Sequence, residues 1–168
     1  MTVEVIRGDI TQISVDAVVN AANNGMRGGG GVDGAIHRVG GRAILDDCVR
    51  RFPNGLATGD AGWTVAGNLP ARWVIHTVGP NYPAGQRDRS LLESCYRASL
   101  AVANELGARS VAFPLISSGA YGWPRADAIE VAISTIVDAG SDVGRVLLVA
   151  FDDALADEMR TRLARRGQ

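Results

Sequence analysis

The chain has 168 residues, enough for roughly one domain that buries its own core without disulfides. Seventeen basic against 18 acidic residues give a formal net charge of −1, and a pI of about 6.1 argues against general electrostatic affinity for nucleic acid. All 17 basic residues are arginine, which excludes a Schiff-base lysine and a Walker A P-loop, since both need lysine.

Residues 3–6 and 17–20 are short valine-rich runs that predict strands, with Gly8-Asp9-Ile10-Thr11 as a turn between them. Glu4 and Arg7 put charges where a signal peptide needs an apolar run. Residues 32–39 and 43–51 read as helices separated by Gly40-Gly41. Strands are expected at 62–66 and 73–78, the second closed by Gly79-Pro80. Leu92, Cys95, Ser99, Val102 and Leu106 recur on one face of a helix over 88–106, and Gly107 ends it. Residues 111–116 predict a strand, followed by a loop from Ser117 to Gly122 and a helix beginning near Pro124. That helix is expected to bury Ile129, Ile133, Ile136 and Val137. Residues 145–151 form a continuous apolar strand, and a last helix carries Leu155, Met159 and Leu163 at i, i+4, i+8.

This alternation predicts one domain over 1–168, a three-layer α/β/α sandwich around a mixed, mostly parallel sheet. No apolar stretch approaches the length of a membrane span. Cys48 and Cys95 fall inside helical patterns without metal-ligand spacing and read as small buried hydrophobes. A soluble, cytoplasmic protein is expected, by default a monomer, with no metal and no cofactor.

Glycine is the compositional outlier. Eight of the 21 glycines fall between Gly25 and Gly41, and the run Gly28-Gly29-Gly30-Gly31 directly precedes a predicted helix. Glycine lets backbone approach a ligand closely, and the unpaired N–H groups of a helix start favour an anion, usually phosphate. The loop from Ser117 to Gly122 repeats the pattern. In open α/β sheets ligands bind outside the carboxyl ends of strands, so the loops after the strands ending near Asn20, Ile116 and Phe151 should share one rim. Two such loops suit the two halves of a pyrophosphate. Without lysine, backbone N–H groups must carry most of the binding.

Several segments together carry a family resemblance. They are Gly8-Asp9-Ile10-Thr11; Val15-Asp16-Ala17-Val18-Val19-Asn20-Ala21-Ala22-Asn23; Gly28 to Arg38; Leu69 to Pro80; Ala112 to Gly119; and Tyr121-Gly122-Trp123-Pro124. The set resembles the macrodomain family in its MacroD-type branch, and it spans nearly the whole chain. The resemblance implies ADP-ribose as ligand and hydrolysis of mono-ADP-ribose from acidic side chains and from O-acetyl-ADP-ribose. ADP-ribosylated nucleic-acid bases are a further substrate class it leaves open. A non-catalytic ADP-ribose reader and an ADP-ribose-phosphate phosphatase are the alternatives.

Carried over residue by residue, the resemblance implies that Asp9 accepts from the adenine amino group and Ile10 supports the ring, with Phe151 against adenine. Gly30, Gly31, Val32, Ser117, Ser118, Gly119, Ala120 and Tyr121 would line the pyrophosphate and distal ribose, and Trp123 would pack on that ribose. Asn20, Asn23 and Asp33 are the candidates for hydrolysis. Asn23 would orient the ribose, Asn20 would brace the loop, and Asp33, in a helix's first turn, would orient or activate water. His37, one turn beyond Asp33, is expected to buttress the loop as a donor, and His76, inside an apolar strand, to be a satisfied core histidine. The stretch Asn24-Gly25-Met26-Arg27 departs from the family pattern and is expected to add a cation beside the substrate loop. Ala120 is smaller than usual and thins one wall.

Overall fold

The computed structural model describes residues 1–167 and contains, among them, six strands in a single sheet and five α-helices. The strands are β1 (Thr2–Arg7), β2 (Val15–Ala22), β3 (Ala61–Val65), β4 (Ala71–Val78), β5 (Ser110–Phe113) and β6 (Arg145–Ala150). The helices are α1 (Gly31–Gly40), α2 (Arg42–Arg51), α3 (Arg89–Leu106), α4 (Arg125–Asp138) and α5 (Asp153–Arg166). The sheet runs β1-β6-β5-β2-β4-β3, parallel throughout except that the edge strand β3 is antiparallel to β4.

Strand side chains alternate between two cores because the pleat repeats every two residues. Ala17 and Val19 of β2 face a core shared with Leu92 of α3, Ile133 of α4 and Met159 of α5. Val18 and Ala22 face the opposite core, with Ile36 of α1 and Ile44 of α2. The result is the expected three-layer sandwich with a mixed sheet. Helix ends follow local chemistry. Asp88 accepts from Ser90 N at the start of α3, and Gly107 closes that helix in the left-handed region at φ +72°. Asp152 accepts from Leu155 N at the start of α5.

Three expectations need correction. β5 ends at Phe113 rather than at residue 116, because Pro114 has no N–H to donate to a ladder. β6 ends at Ala150, leaving Phe151 outside the sheet and 74% exposed. Val137 points away from the core of α4, 37% exposed. The Gly8–Thr11 turn is tighter than expected: Ile10–Gln12 forms one 3-10 turn capped by Asp9, whose carboxylate accepts from Thr11 N.

β2 and β5 are neighbours, yet α1 after β2 covers one face of the sheet and α4 after β5 covers the other. Their leading loops therefore part above the carboxyl ends of the strands, and a crevice opens there.

Candidate functional site

The crevice is one groove with two lobes, of about 250 and 660 Å³, joined through Gly31, Val32, Leu115 and Gly119. The loops after β2, β5 and β6 share this rim, as expected, together with Asp9 after β1 and Gly79 after β4. The smaller lobe holds Asn23, Gly30, Asp33, Ser117, Ala120 and Tyr121. The larger holds Asp9, Ile10, Ser118 and Phe151.

Both glycine-loop walls are built from backbone. Gly28 and Gly31 have φ of +92° and +57°, values that side chains other than glycine's rarely adopt. A Cβ on Gly29 would lie 3.1 Å from both Asn23 Nδ2 and Asp33 Oδ2, so these side chains sit flush against the loop. Gly30 caps α1 without a side chain, which leaves the first N–H groups of that helix for a ligand. Across the groove Ser117 is itself left-handed at φ +65°, and its carbonyl accepts from Trp123 N at 2.8 Å. Ser118 Oγ closes the turn by donating to Leu115 O. A Cβ on Gly79 would collide with Ser117 Oγ and Ile116, so Gly79 is what allows the loop to settle there. The sequence marks Gly29 only as part of the glycine run and Gly79 only as the close of a strand, and points neither to its place in the site.

Asp33 is the one acidic side chain lining the smaller lobe. It is only 4% exposed, in the first turn of α1, at the positive end of the helix dipole. Its Oδ1 accepts from Asn20 Nδ2 at 2.8 Å and lies 3.3 Å from His37 Nε2, one turn further along α1. Asn23 donates to Gly28 O and accepts from Met26 N, which fixes its amide beside the glycine loop.

Asn20 does not face the groove. It is fully buried beneath Asp33, with the same Nδ2 3.1 Å from His76 Nδ1, so its part is positioning rather than contact. Trp123 is likewise turned into the core at 4% exposure. Its indole donates to Asp127, and its ring meets Tyr82 edge-on. It is a pillar under the Ser117 loop rather than a wall of the groove.

Arg27 also lies elsewhere than expected. Its guanidinium donates to the carbonyls of Met26, Cys48, Phe52 and Pro53, tying the β2–α1 loop to the end of α2. The spare lone pairs of carbonyls at a helix end and a negative dipole attract the cation there, which removes it from the groove. Arg27→Ala is therefore expected to cost about 1–2 kcal/mol of folding stability, measured by urea unfolding.

Burial pushes the thiols of Cys48 and Cys95 up to about 11, so neither is a thiolate nucleophile near neutral pH. Among the described residues, no three His, Cys, Asp or Glu side chains gather closely enough to hold a metal ion. No helix among them is long and apolar enough to cross a membrane.

The macro domain family model matches residues 19–132 of this chain. Over 165 residues the chain is 51% identical to a macro domain-containing protein of Streptomyces coelicolor, covering 96% of this chain and 98% of that one. It is 48% identical over 170 residues to a Salmonella gallinarum protein named O-acetyl-ADP-ribose deacetylase, covering 98% of this chain and 95% of the relative. An Oceanobacillus iheyensis macrodomain, solved with ADPR as a glycine-to-valine mutant, superposes with a TM-score of 0.91 at 36% identity, covering 98% and 92% of the two chains. Asparagine-to-alanine and aspartate-to-alanine mutants of that macrodomain have also been solved. A fold with this sheet order, opening over two backbone loops, is that of a macrodomain, and the chain belongs to the macro domain family.

Proposed function

We propose that this protein binds ADP-ribose along the groove and hydrolyses esters carried on its distal ribose, releasing ADP-ribose. O-acetyl-ADP-ribose and mono-ADP-ribosylated acidic side chains of proteins are its substrate classes. The observation that carries this reading is Asp33, a buried carboxylate held by Asn20 and opening only into the smaller lobe beside Asn23.

The two lobes fit the two ends of such a ligand. Phe151, exposed beside Asp9 and Ile10, offers an aromatic face and a carboxylate acceptor to a base carrying an amino group. A pyrophosphate joining base and distal ribose must lie where the lobes meet, between Gly31 and Val32 on one side and Gly119 on the other. The distal ribose then falls among Asn23, Asp33, Ala120 and Tyr121. In the macrodomain of Oceanobacillus iheyensis the mutated asparagine, glycine and aspartate are spaced as Asn23, Gly30 and Asp33 are here, the aspartate ten positions after the asparagine and three after the glycine.

In the reaction, Asp33 accepts a hydrogen bond from water and aims its oxygen at the carbon whose bond to the ester oxygen breaks. The products are ADP-ribose and a free carboxylic acid, acetate or a protein side chain. Asn23 fixes the ribose so that this bond stays within reach of the water. Arg27 is engaged with carbonyls, and Arg7, the cation at the larger lobe, lies 3.3 Å from Asp153. A nucleic-acid conjugate would be held through its ADP-ribose alone, so carboxylate esters are the preferred class over ADP-ribosylated bases.

Calorimetric titration with ADP-ribose is expected to give a Kd in the micromolar range, equivalent to about 8 kcal/mol. O-acetyl-ADP-ribose, ADP-ribosylated protein and an ADP-ribosylated DNA end should then be compared side by side. ADP-ribose should appear from the first two well ahead of the third. Binding without release from any of them would instead make the protein a reader, and phosphate release from ADP-ribose phosphate would make it a phosphatase.

A further inference from the structure

We propose that His76 is a positioning residue for hydrolysis: its Nδ1 accepts from Asn20 and so fixes the amide orientation that holds the Asp33 carboxylate. The proposal rests on the hydrolase reading for its consequence in turnover, and on geometry alone for the arrangement itself.

The parallel register of β2 and β4 sets Asn20 directly beside His76, on the face of the sheet covered by α1 and α2. Both side chains are buried, at 0% and 1% exposure. Asn20 Nδ2 lies 2.8 Å from Asp33 Oδ1 and 3.1 Å from His76 Nδ1, so its two N–H bonds are spent in two directions. Its Oδ1 is buried without any partner. An unpaired buried carbonyl costs about 1–3 kcal/mol, and this orientation needs a reason. Rotating the amide by half a turn would put Oδ1 against the Asp33 carboxylate and leave His76 without a donor. The acceptor at His76 Nδ1 therefore adds to the Asp33 carboxylate in fixing which way Asn20 points, and pins the amide from its other side.

That acceptor exists in only one form of the ring. On the far side His76 Nε2 lies 2.9 Å from Thr64 Oγ1, whose own hydroxyl is committed to Val65 O. With that hydroxyl donating to Val65 O, Thr64 accepts from Nε2–H, which leaves Nδ1 bare; Cys48 Sγ, 3.8 Å from Nε2, is the ring's other polar neighbour on this side. Thr64 on β3 thus sets the tautomer, and His76 and Asp33 together hold the Asn20 amide between them. The charged and titratable groups around the ring are Asp33 and His37 on α1 and Asp47 and Cys48 on α2. Burial, with His37 adding to it, holds the ring down to about 4, so it stays neutral across the working range. The arrangement does not depend on touching the ligand, since His76 does not line the groove.

Two variants separate positioning from packing. His76→Leu fills the space without an acceptor, whereas His76→Asn returns a carbonyl oxygen near the Nδ1 position. With folding checked by thermal unfolding, His76→Leu is expected to lower kcat about 10- to 100-fold while ADP-ribose affinity stays within about threefold. His76→Asn should recover most of that loss. Wild-type kcat in His76→Leu, or equal losses in both variants, would overturn the proposal.

A second measurement needs no turnover. Long-range ¹H–¹⁵N correlation on histidine-labelled full-length protein should show His76 as the neutral Nε2–H tautomer between pH 6 and 8. An Nδ1–H tautomer or an imidazolium there would refute the arrangement. Absence of turnover in the wild type would count against the hydrolase reading instead, and the tautomer would still decide this proposal.

Discussion

Asp33→Ala is expected to lower the rate of ADP-ribose release by about 10²- to 10⁴-fold, while ADP-ribose affinity changes by no more than about threefold. The two quantities separate because they depend on different parts of the groove. On the proposed reading, affinity comes from the backbone loops that meet at Gly31, Val32 and Gly119 and from the lobe of Asp9, Ile10 and Phe151. Asp33 contributes one carboxylate at the opposite end, where the proposed reaction breaks the ester bond. A group that acts only on the attacking water is needed in the transition state and little in the ground state, so its removal lowers kcat rather than raising KM. Single-turnover assays on an acetyl ester and on an ester-linked protein, beside calorimetry with ADP-ribose, measure both. Equal turnover by Asp33→Ala would dismiss the carboxylate as the group that aims the water. A parallel fall in affinity would mean that Asp33 serves mainly to hold the ribose. Asp33→Ala also strips Asn20 Nδ2 of its carboxylate partner, so some loss of folding stability should accompany the loss of rate.

The frame of this fold is legible in the sequence because hydrophobic period and glycine placement are local signals. The helix over residues 88–106 is marked by its apolar stripe and by Gly107, and both capping residues sit in its flanks. The glycine run before α1 and the Ser117 loop announce themselves by composition, and they do share one rim. What stayed hidden depends on partners distant in sequence. Arg27 beside a glycine loop reads as a phosphate cation until the carbonyls of Cys48, Phe52 and Pro53 are brought to it. Trp123 reads as a ribose platform until Tyr82, 41 positions earlier, packs edge-on against its inward-turned ring. His76 reads correctly as a satisfied core histidine, yet its partners Asn20 and Thr64 come from the two strands flanking β4 and are known only once the register is. Gly79 lacks any local signal of its role, because the side chain it makes room for, Ser117, is 38 positions further on.

Acidification from about pH 6.5 to about pH 4 is expected to remove about 3 kcal/mol of folding stability through His76 alone. Burial between β2, β3 and α2 is the main cause, reinforced by His37, while Asp33 and Asp47 pull weakly the other way. The unfolded chain, with an ordinary imidazole near 6.5, takes up a proton in this window, whereas the folded protein does so only near 4. More protons on the unfolded state mean that stability is full above about 6.5 and drains away as pH falls toward 4. Asp47 behaves separately. Burial opposes its charge, but the Val65 N–H, Arg50 and Arg51 outweigh it and hold its carboxyl below 3.8, so its contribution is lost only at more acid pH. Urea unfolding of the wild type and of His76→Asn at pH 7, 5.5 and 4.5 isolates the histidine, because the variant has no imidazole to titrate. The wild type should weaken steadily across that series and the variant much less. Identical slopes would mean that the folded protein accepts the proton at His76 without penalty. That outcome would also remove the physical reason for Nδ1 to remain an acceptor beneath Asn20. Stability at mild acid and turnover at neutral pH thus report on the same nitrogen.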